Sequence, residues 1–242
     1  MNITSNISFE ERYIALRRKE NRVYSDVEVA QLPHIDVRHQ HYKEWMIRKV
    51  SAKKLIDFLK KKKQPLKILE VGCGNGWLSN QLSRIENSEV TGLDINAEEL
   101  QQAERVFRNN RQLKFVCGEI HSAILADCKF DMIIFAASVQ YFESLKEIVN
   151  AAFERLNESG EMHIIDSPFY SKDEVMAAKT RSKDYYTRLG FPEMIEYYFH
   201  HSIEELQPYN FKVLYRPSLI KNKFFRNNSP FPWLCIKRNY LS

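Results

Sequence analysis

From about His39 onward, Tyr42, Trp45, Met46, Ala52, Leu55, Ile56 and Leu59 recur at helical spacing. That stripe predicts one long amphipathic helix, which Gln64-Pro65 stops because proline has no N–H and crowds the preceding turn. Upstream, residues 9–22 are charged helix formers, and Leu32-Pro33 interrupts any continuation. Residues 1–64 therefore read as a helical cap without strands. From residue 66 the texture changes to short apolar runs alternating with amphipathic helices. Lys67 to Val71, Glu89 to Leu93, Leu113 to Val116, Phe130 to Phe135 and Glu161 to Ile165 are the predicted strands. The fourth is apolar enough to be buried on both faces. Between the first two lies a helix carrying Trp77, Leu78 and Leu82, and between the second and third one carrying Leu100, Ala103 and Phe107.

The helix before the fifth strand opens on the capping box Ser144-Leu145-Lys146-Glu147. Its buried stripe is Leu145, Ile148, Val149, Ala152 and Leu156, and Gly160 is expected to stop it. This regular alternation implies a parallel sheet with right-handed crossovers. It breaks over residues 167–201, an aromatic-rich insertion with the breaker Gly190-Phe191-Pro192. A second capping box, Ser202-Ile203-Glu204-Glu205, predicts a restarted helix, and Phe211 to Tyr215 and Pro232 to Ile236 supply two closing strands. Residues 65–242 thus form one α/β unit.

Composition narrows the class. With 242 residues, 44% hydrophobic and 28% charged, the chain can bury a full core without staples. The net charge is +5, but its densest run, Lys60 to Lys63, falls at a helix end, where cations complement the dipole and are expected to be solvated. Cys73, Cys117, Cys128 and Cys235 show neither Cys-x-x-Cys pairing nor zinc-finger spacing, so no metal site and no disulfide framework is expected. No apolar run approaches the roughly 20 residues that span a bilayer. Residues 1–6 lack the pattern of an export signal, and a reducing, cytoplasmic setting is the expectation.

Candidate chemistry centres on Gly72-Cys73-Gly74-Asn75-Gly76, directly after the first strand. A glycine loop between strand and helix lays bare backbone against a ligand. The dinucleotide spacing Gly-x-Gly-x-x-Gly fails because position 77 is Trp, and no Gly-Lys-Ser/Thr follows for a P-loop. The stretch Ile68-Leu69-Glu70-Val71-Gly72-Cys73-Gly74-Asn75-Gly76 instead resembles the first motif of class I S-adenosylmethionine-dependent methyltransferases. The likeness runs over roughly residues 66–166, with Val90-Thr91-Gly92-Leu93-Asp94, Phe130-Asp131-Met132-Ile133-Ile134 and Leu156-Asn157-Glu158-Ser159-Gly160-Glu161 as later motifs in order.

The resemblance implies a Rossmann-like, doubly wound, mostly parallel seven-stranded sheet and S-adenosylmethionine as cofactor. On its motifs, Gly72, Cys73, Gly74 and Gly76 would carry the methionyl portion and Glu70 would orient its amino end. Asp94 would accept the ribose hydroxyls, and Ile95 would pack on adenine. Glu119 and Ile120 would meet the adenine edge, with Glu119 standing where the family more often has Asp, and Ala136 would complete the cofactor site. Other roles stay open: Asp94 as the cap of the helix near Ala97, Glu70 as a buried structural acid, Glu119 as a solvated loop residue. A reactive Cys73 thiol is not expected, since nothing basic flanks it.

Methyl transfer needs alignment and exclusion of water more than a dedicated base. Tyr141, after the fourth strand, and His200 and His201, before the Ser202 capping box, are the catalytic candidates at the ligand edge. Asp166 and Ser167 share that rim, whereas His163 sits low in its strand and reads as structural. Two segments are expected to roof the site: an N-terminal helix pair with Tyr24, Asp36, His39, His41 and Trp45, and the insertion with Tyr185, Tyr186, Tyr197, Tyr198 and Phe199. Phe135-Ala136-Ala137-Ser138 stands where nucleic-acid base methyltransferases carry Asn/Asp-Pro-Pro-aromatic, so a nucleic-acid partner is not expected. A small-molecule acceptor, aromatic or apolar, is the leading expectation. An RNA or protein substrate, or a non-catalytic cofactor-binding module, is the alternative.

Overall fold

β1 (Leu66–Val71) and β4 (Phe130–Ala136) are almost wholly buried, because helices cover both faces of the sheet they centre. In the computed structural model, which describes residues 8–217 and 228–238, they are flanked by β2 (Ser88–Asp94), β3 (Leu113–Cys117), β5 (Leu156–Ile165), β6 (Asn210–Tyr215) and β7 (Trp233–Lys237). The seven strands run in the order β3-β2-β1-β4-β5-β7-β6. The first five pair in parallel, and β7 lies antiparallel between β5 and β6. The expected mostly parallel, doubly wound sheet is therefore present. Its strand order reverses between β1 and β4, and a crevice opens beyond their carboxyl ends.

Seven helices accompany the described sheet: α1 (Phe9–Lys19), α2 (Asp26–Gln31), α3 (Tyr42–Lys60), α4 (Trp77–Leu82), α5 (Ala97–Phe107), α6 (Leu145–Arg155) and α7 (Lys172–Leu189). On one face Ile148 and Val149 of α6 join Leu69, Ile133 and Phe135. On the other, Leu55 and Leu59 of α3 join Ile68, Leu82 and Ile134. α3 is thus part of the sandwich, while α1 lies over the carboxyl ends of the strands, where Phe9 and Tyr13 meet Tyr141. The export-signal reading falls on residues 1–6, outside the described residues.

Three local expectations are corrected. α6 ends at Arg155, not at Gly160, because Leu156 is already extended (φ −79°, ψ 142°) and pairs with Phe130. The β4–β5 register then jumps to Met132 opposite Glu161, which places Gly160 in an irregular stretch of β5. A Cβ there would lie 2.8 Å from Leu156 Cδ2 and 3.0 Å from Asn157 O, so tight packing is what requires that glycine. The Ser202–Glu205 capping box does form, but it nucleates only a 3-10 turn, Ile203–Leu206. Pro208 stops propagation, since it has no N–H with which to extend the turn.

The third correction concerns the lysine run. Lys62 is not free in solvent: its Nζ lies 2.8 Å from Oε1 of buried Glu161, which also meets Lys237 Nζ at 2.6 Å. Burial raises the Glu161 pKa, but His163, Lys237 and Lys62 outweigh it and hold the carboxyl well below its usual range. Trp233 Nε1 donates to His163 Nδ1 (3.1 Å), so the Nε2 proton points at Glu161 Oε2 (3.2 Å). No lone pair of this imidazole is left for a metal, although Glu161, His163 and Cys235 cluster. His163 is structural, as its place in the strand suggested.

Candidate active site

β1 delivers the chain into a loop where Gly72, Gly74 and Gly76 all have positive φ (75°, 51° and 73°), a region open to glycine and strained for other residues. A Cβ on Gly72 would lie 2.5 Å from Ser138 Cβ, because the β4 end closes tightly on this turn. Ser138 Oγ donates to Val71 O (2.6 Å) and locks that approach. Gly76 serves packing instead: its absent Cβ would stand 2.4 Å from the Phe115 ring. Of the three glycines, Gly76 is the one that lines no cavity described below.

Asp94 ends β2 and organises the loop. Oδ2 accepts the Gly74 N–H (2.7 Å) and Oδ1 accepts the Asn96 N–H (2.9 Å). The cap of α5 is Asn96, whose side chain accepts the Glu99 N–H (3.1 Å), so Asp94 is free of capping duty. Burial raises the Asp94 pKa, opposed by the N–H groups of Asn96 and Gly74. Glu99 approaches from α5, with Oε1 3.3 Å from where a Gly74 Cβ would be. Burial, reinforced by the Asp94 charge, pushes Glu99 up to about 7. Glu70 accepts the Ser79 hydroxyl (2.5 Å), and burial pushes it up to about 8. Burial also drives the Cys73 thiol well up, so it is no nucleophile.

Three cavities meet at these strand ends. The inner one, about 320 Å3, has Gly72, Gly74 and Asp94 at its base, with Ile95, Glu119 and Ile120 along one side and Phe9, Tyr13 and Tyr197 also lining it. A recess of about 100 Å3 adjoins it, with Glu70, Cys73, Ala136, Trp45 and Arg48. Nine of the ten expected cofactor residues thus line two adjoining spaces, and Gly76 supports them from behind. Bare loop backbone, an acid at the β2 end and a side wall of Ile95 and Ile120 fit an adenosyl group with an amino-acid tail.

The outer chamber, about 530 Å3, lies between the strand ends and α7. Tyr141 and Ala137 border both it and the inner cavity. The Tyr141 hydroxyl accepts from Arg17 Nη2 (2.9 Å). Neither histidine expected beside Tyr141 lines the chamber. His200 Nε2 is 2.8 Å from Ser182 Oγ, one layer back. His201 is buried with Nε2 3.2 Å from Val139 O, a structural tie. Asp166 does line the chamber; its Oδ1 accepts Ser51 (2.7 Å) and Ser229 (3.0 Å). Asp166 and Ala137 both carry positive φ (52° and 55°), strain concentrated at the ends of β5 and β4.

The roof departs from expectation. Tyr24 and Trp45, paired with each other (Trp45 Nε1 to Tyr24 Oη, 2.8 Å), do line the recess, while Asp36 is tied to Arg38 and His41 to the Glu20 carbonyl. The cover over the inner cavity is α1, through Phe9 and Tyr13, with Arg17 one turn further along the same face. Their i, i+4, i+8 spacing was available in the sequence as a signal. Glu99, Ser138 and Arg181 carried none.

Comparison with known proteins agrees with this geometry. A family profile described as Methyltransferase domain matches residues 62–216. A malonyl-[acyl-carrier protein] O-methyltransferase of Acetivibrio thermocellus is 34% identical over 116 residues, covering 47% of this chain and 40% of that protein. Ribosomal RNA small subunit methyltransferase C of Haemophilus influenzae is 28% identical over 156 residues, or 61% of this chain and 40% of that one. The chain therefore spans under half the length of these curated relatives. Among solved structures, geranyl diphosphate C-methyltransferase from Streptomyces coelicolor A3(2) superposes with a TM-score of 0.61 at 13% identity, over 96% of this chain and 98% of its own. At that identity the likeness is one of fold.

Proposed function

This chain belongs to the methyltransferase-domain family, an enzyme class dependent on S-adenosylmethionine, and on that footing we propose that it methylates a small molecule held in the outer chamber. When bound, the cofactor supplies an electrophilic methyl group on a sulfonium. The remaining tasks fall to the chain's own side chains. Asp94 accepts the ribose hydroxyls, for which each of its oxygens keeps a second lone pair beside the N–H it already takes. Ile95 and Ile120 would pack on the base, and Glu119 would meet its edge. Glu70 and Arg48 in the recess receive the amino-acid end, a carboxyl facing the amine and a guanidinium facing the carboxylate.

Tyr141 stands where the two spaces meet and is the residue we assign to orienting the acceptor, its hydroxyl fixed by Arg17. The single observation carrying this reading is that boundary: a chamber of about 530 Å3 meets the cofactor space across Tyr141 and Ala137. A chamber of that size suits a compact acceptor better than a duplex or a folded protein. In this reading residues 167–201 are the acceptor cap, joined by α1. Among the described residues no helix is long and apolar enough to cross a membrane. All four cysteines are free thiols, which suits a reducing, cytoplasmic setting.

The test is transfer of isotope from labelled S-adenosylmethionine into a cell extract, read by mass spectrometry. Label in a low-mass metabolite is expected. Label confined to RNA or protein overturns the small-molecule reading. Absence of S-adenosylmethionine binding by calorimetry overturns catalysis altogether.

A further inference from the structure

The outer chamber is rich in donors whose partners are missing. Its two glutamates are already engaged. Glu44 takes Arg22 Nη1 (2.6 Å) and Arg48 Nη2 (3.0 Å), and although burial pushes it up, Arg48 and Arg22 hold it at about 2. Glu20 takes Arg17 Nη1 (3.0 Å) and the Tyr185 hydroxyl. These two carboxylates brace three guanidiniums without exhausting their N–H groups, since each guanidinium carries five.

Arg181 is different. It projects from α7 on the face shared by Ala178, Ser182 and Tyr185, borders the chamber and makes no ion pair or hydrogen bond among the described residues. The hydroxyls of Tyr170, Tyr186 and Tyr198, all in the same wall, likewise have no hydrogen-bond partner among the described residues. Burial raises all three phenols, so each remains a donor at physiological pH. Arg181 and Tyr170 line the same chamber, and the Arg181 charge is felt at Tyr170 as well as at Glu174 and His200 outside it.

The charges lining the chamber are four arginines against Glu20, Glu44 and Asp166, a surplus of one positive charge. No lysine or histidine lines it. A cavity of this kind is mismatched to a neutral apolar guest and hostile to a cation.

We infer that the acceptor carries a carboxylate, held by the Arg181 guanidinium and the free phenol hydroxyls of Tyr170 and Tyr198, with its body lying against the tyrosine wall toward Tyr141. The inference rests on the proposed function and deepens it. A carboxylate matches the geometry better than a phosphate. Its single charge equals the surplus, its plane suits a guanidinium fork, and the wall offers side chains rather than the backbone amides of a phosphate cradle.

The experiment fractionates a protein-free metabolite extract on a strong anion exchanger and assays each fraction for methyl acceptance with the full chain and labelled S-adenosylmethionine. Acceptance is expected in the retained fraction and should survive phosphatase treatment. Acceptance only in the flow-through overturns the inference while leaving the methyltransferase reading intact, and loss on phosphatase treatment overturns the choice of carboxylate. No acceptance in any fraction, with cofactor binding intact by calorimetry, sinks the small-molecule reading and this inference with it. Using the accepting fraction, Arg181→Gln should raise the apparent KM at least tenfold, and Arg181→Lys should restore part of that loss. The calorimetric affinity for S-adenosylhomocysteine should stay within twofold in both variants. An unchanged KM in Arg181→Gln removes Arg181 from the site.

Discussion

Asp94 shows how one side chain fixes a loop and prepares it for a ligand, because its two oxygens hold the Gly74 and Asn96 amides while burial keeps solvent away. Asp94→Ala should therefore lower S-adenosylmethionine affinity by at least tenfold in calorimetry. It removes a charged acceptor and frees the Gly74 amide, and each charged hydrogen bond is worth about 1.5–3 kcal/mol. Near-wild-type affinity would place the ribose contact elsewhere. Glu99 makes a pH prediction. Its folded pKa of about 7 lies above the ordinary carboxylate value, so the folded state binds the extra proton. Stability is then fully present below about pH 4.5 and falls as pH rises toward 7. Glu99→Gln should raise the thermal midpoint at pH 8 by about 2–4 °C, the equivalent of roughly 1 kcal/mol, and leave it unchanged at pH 4. A variant less stable at pH 8 would mean that Glu99 is stabilised as an anion. Asp94 was legible in the sequence because it ends a strand at a motif position. Glu99 was hidden inside the amphipathic pattern of α5, where its spacing says only that it is not core.

At the scale of elements, the alternation of strands and helices was readable because buried parallel strands and amphipathic helices have different periods. Helix ends were harder to read. The Gly160 and Ser202 expectations used sound local rules, but β4 pairing claimed Leu156 and Pro208 cut short the turn after Ser202. The strand–loop–α4 unit carries its own test. Gly76→Ala would put a methyl 2.4 Å from the Phe115 ring at a positive φ. Overpacking costs about 1–3 kcal/mol, and the left-handed conformation adds about 1 kcal/mol. Urea denaturation should show that loss of stability, while the folded fraction keeps its cofactor affinity within a few-fold. A sharp loss of affinity at unchanged stability would move Gly76 from packing into the cofactor contact. The roof was misplaced by one helix for a related reason. The apolar stripe of α3 is the stronger signal, yet it faces the sheet, whereas the short face of Phe9, Tyr13 and Arg17 on α1 is the one that turns inward.

Across the whole molecule, the inner cavity and outer chamber share α1: Phe9 and Tyr13 cover the first, and Arg17 and Glu20 wall the second. An acceptor leaning on that helix obstructs the inner occupant, so binding should be ordered, with the cofactor entering first and its demethylated product leaving last. Product inhibition checks this: S-adenosylhomocysteine should compete with S-adenosylmethionine, and the methylated product should not. A methylated product competitive with S-adenosylmethionine would refute the order. The chamber was legible only in part: Tyr141, Asp166, Tyr185, Tyr186 and Tyr198 were expected at the rim or roof and line it, whereas Arg17, Arg22, Glu44 and Arg181 were not. Its wall is gathered from α1, α3, the ends of β4 and β5, α7 and residues near Phe231, and no local period links positions so far apart.

That dispersal is uneven, since α7 alone supplies Ala178, Arg181, Ser182, Tyr185 and Tyr186, whereas none of the residues lining the inner cavity comes from it. With the acceptor in the outer chamber as proposed, rewriting that single helix would let descendants of this chain trade one acceptor for another while the inherited cofactor grip passed on unaltered.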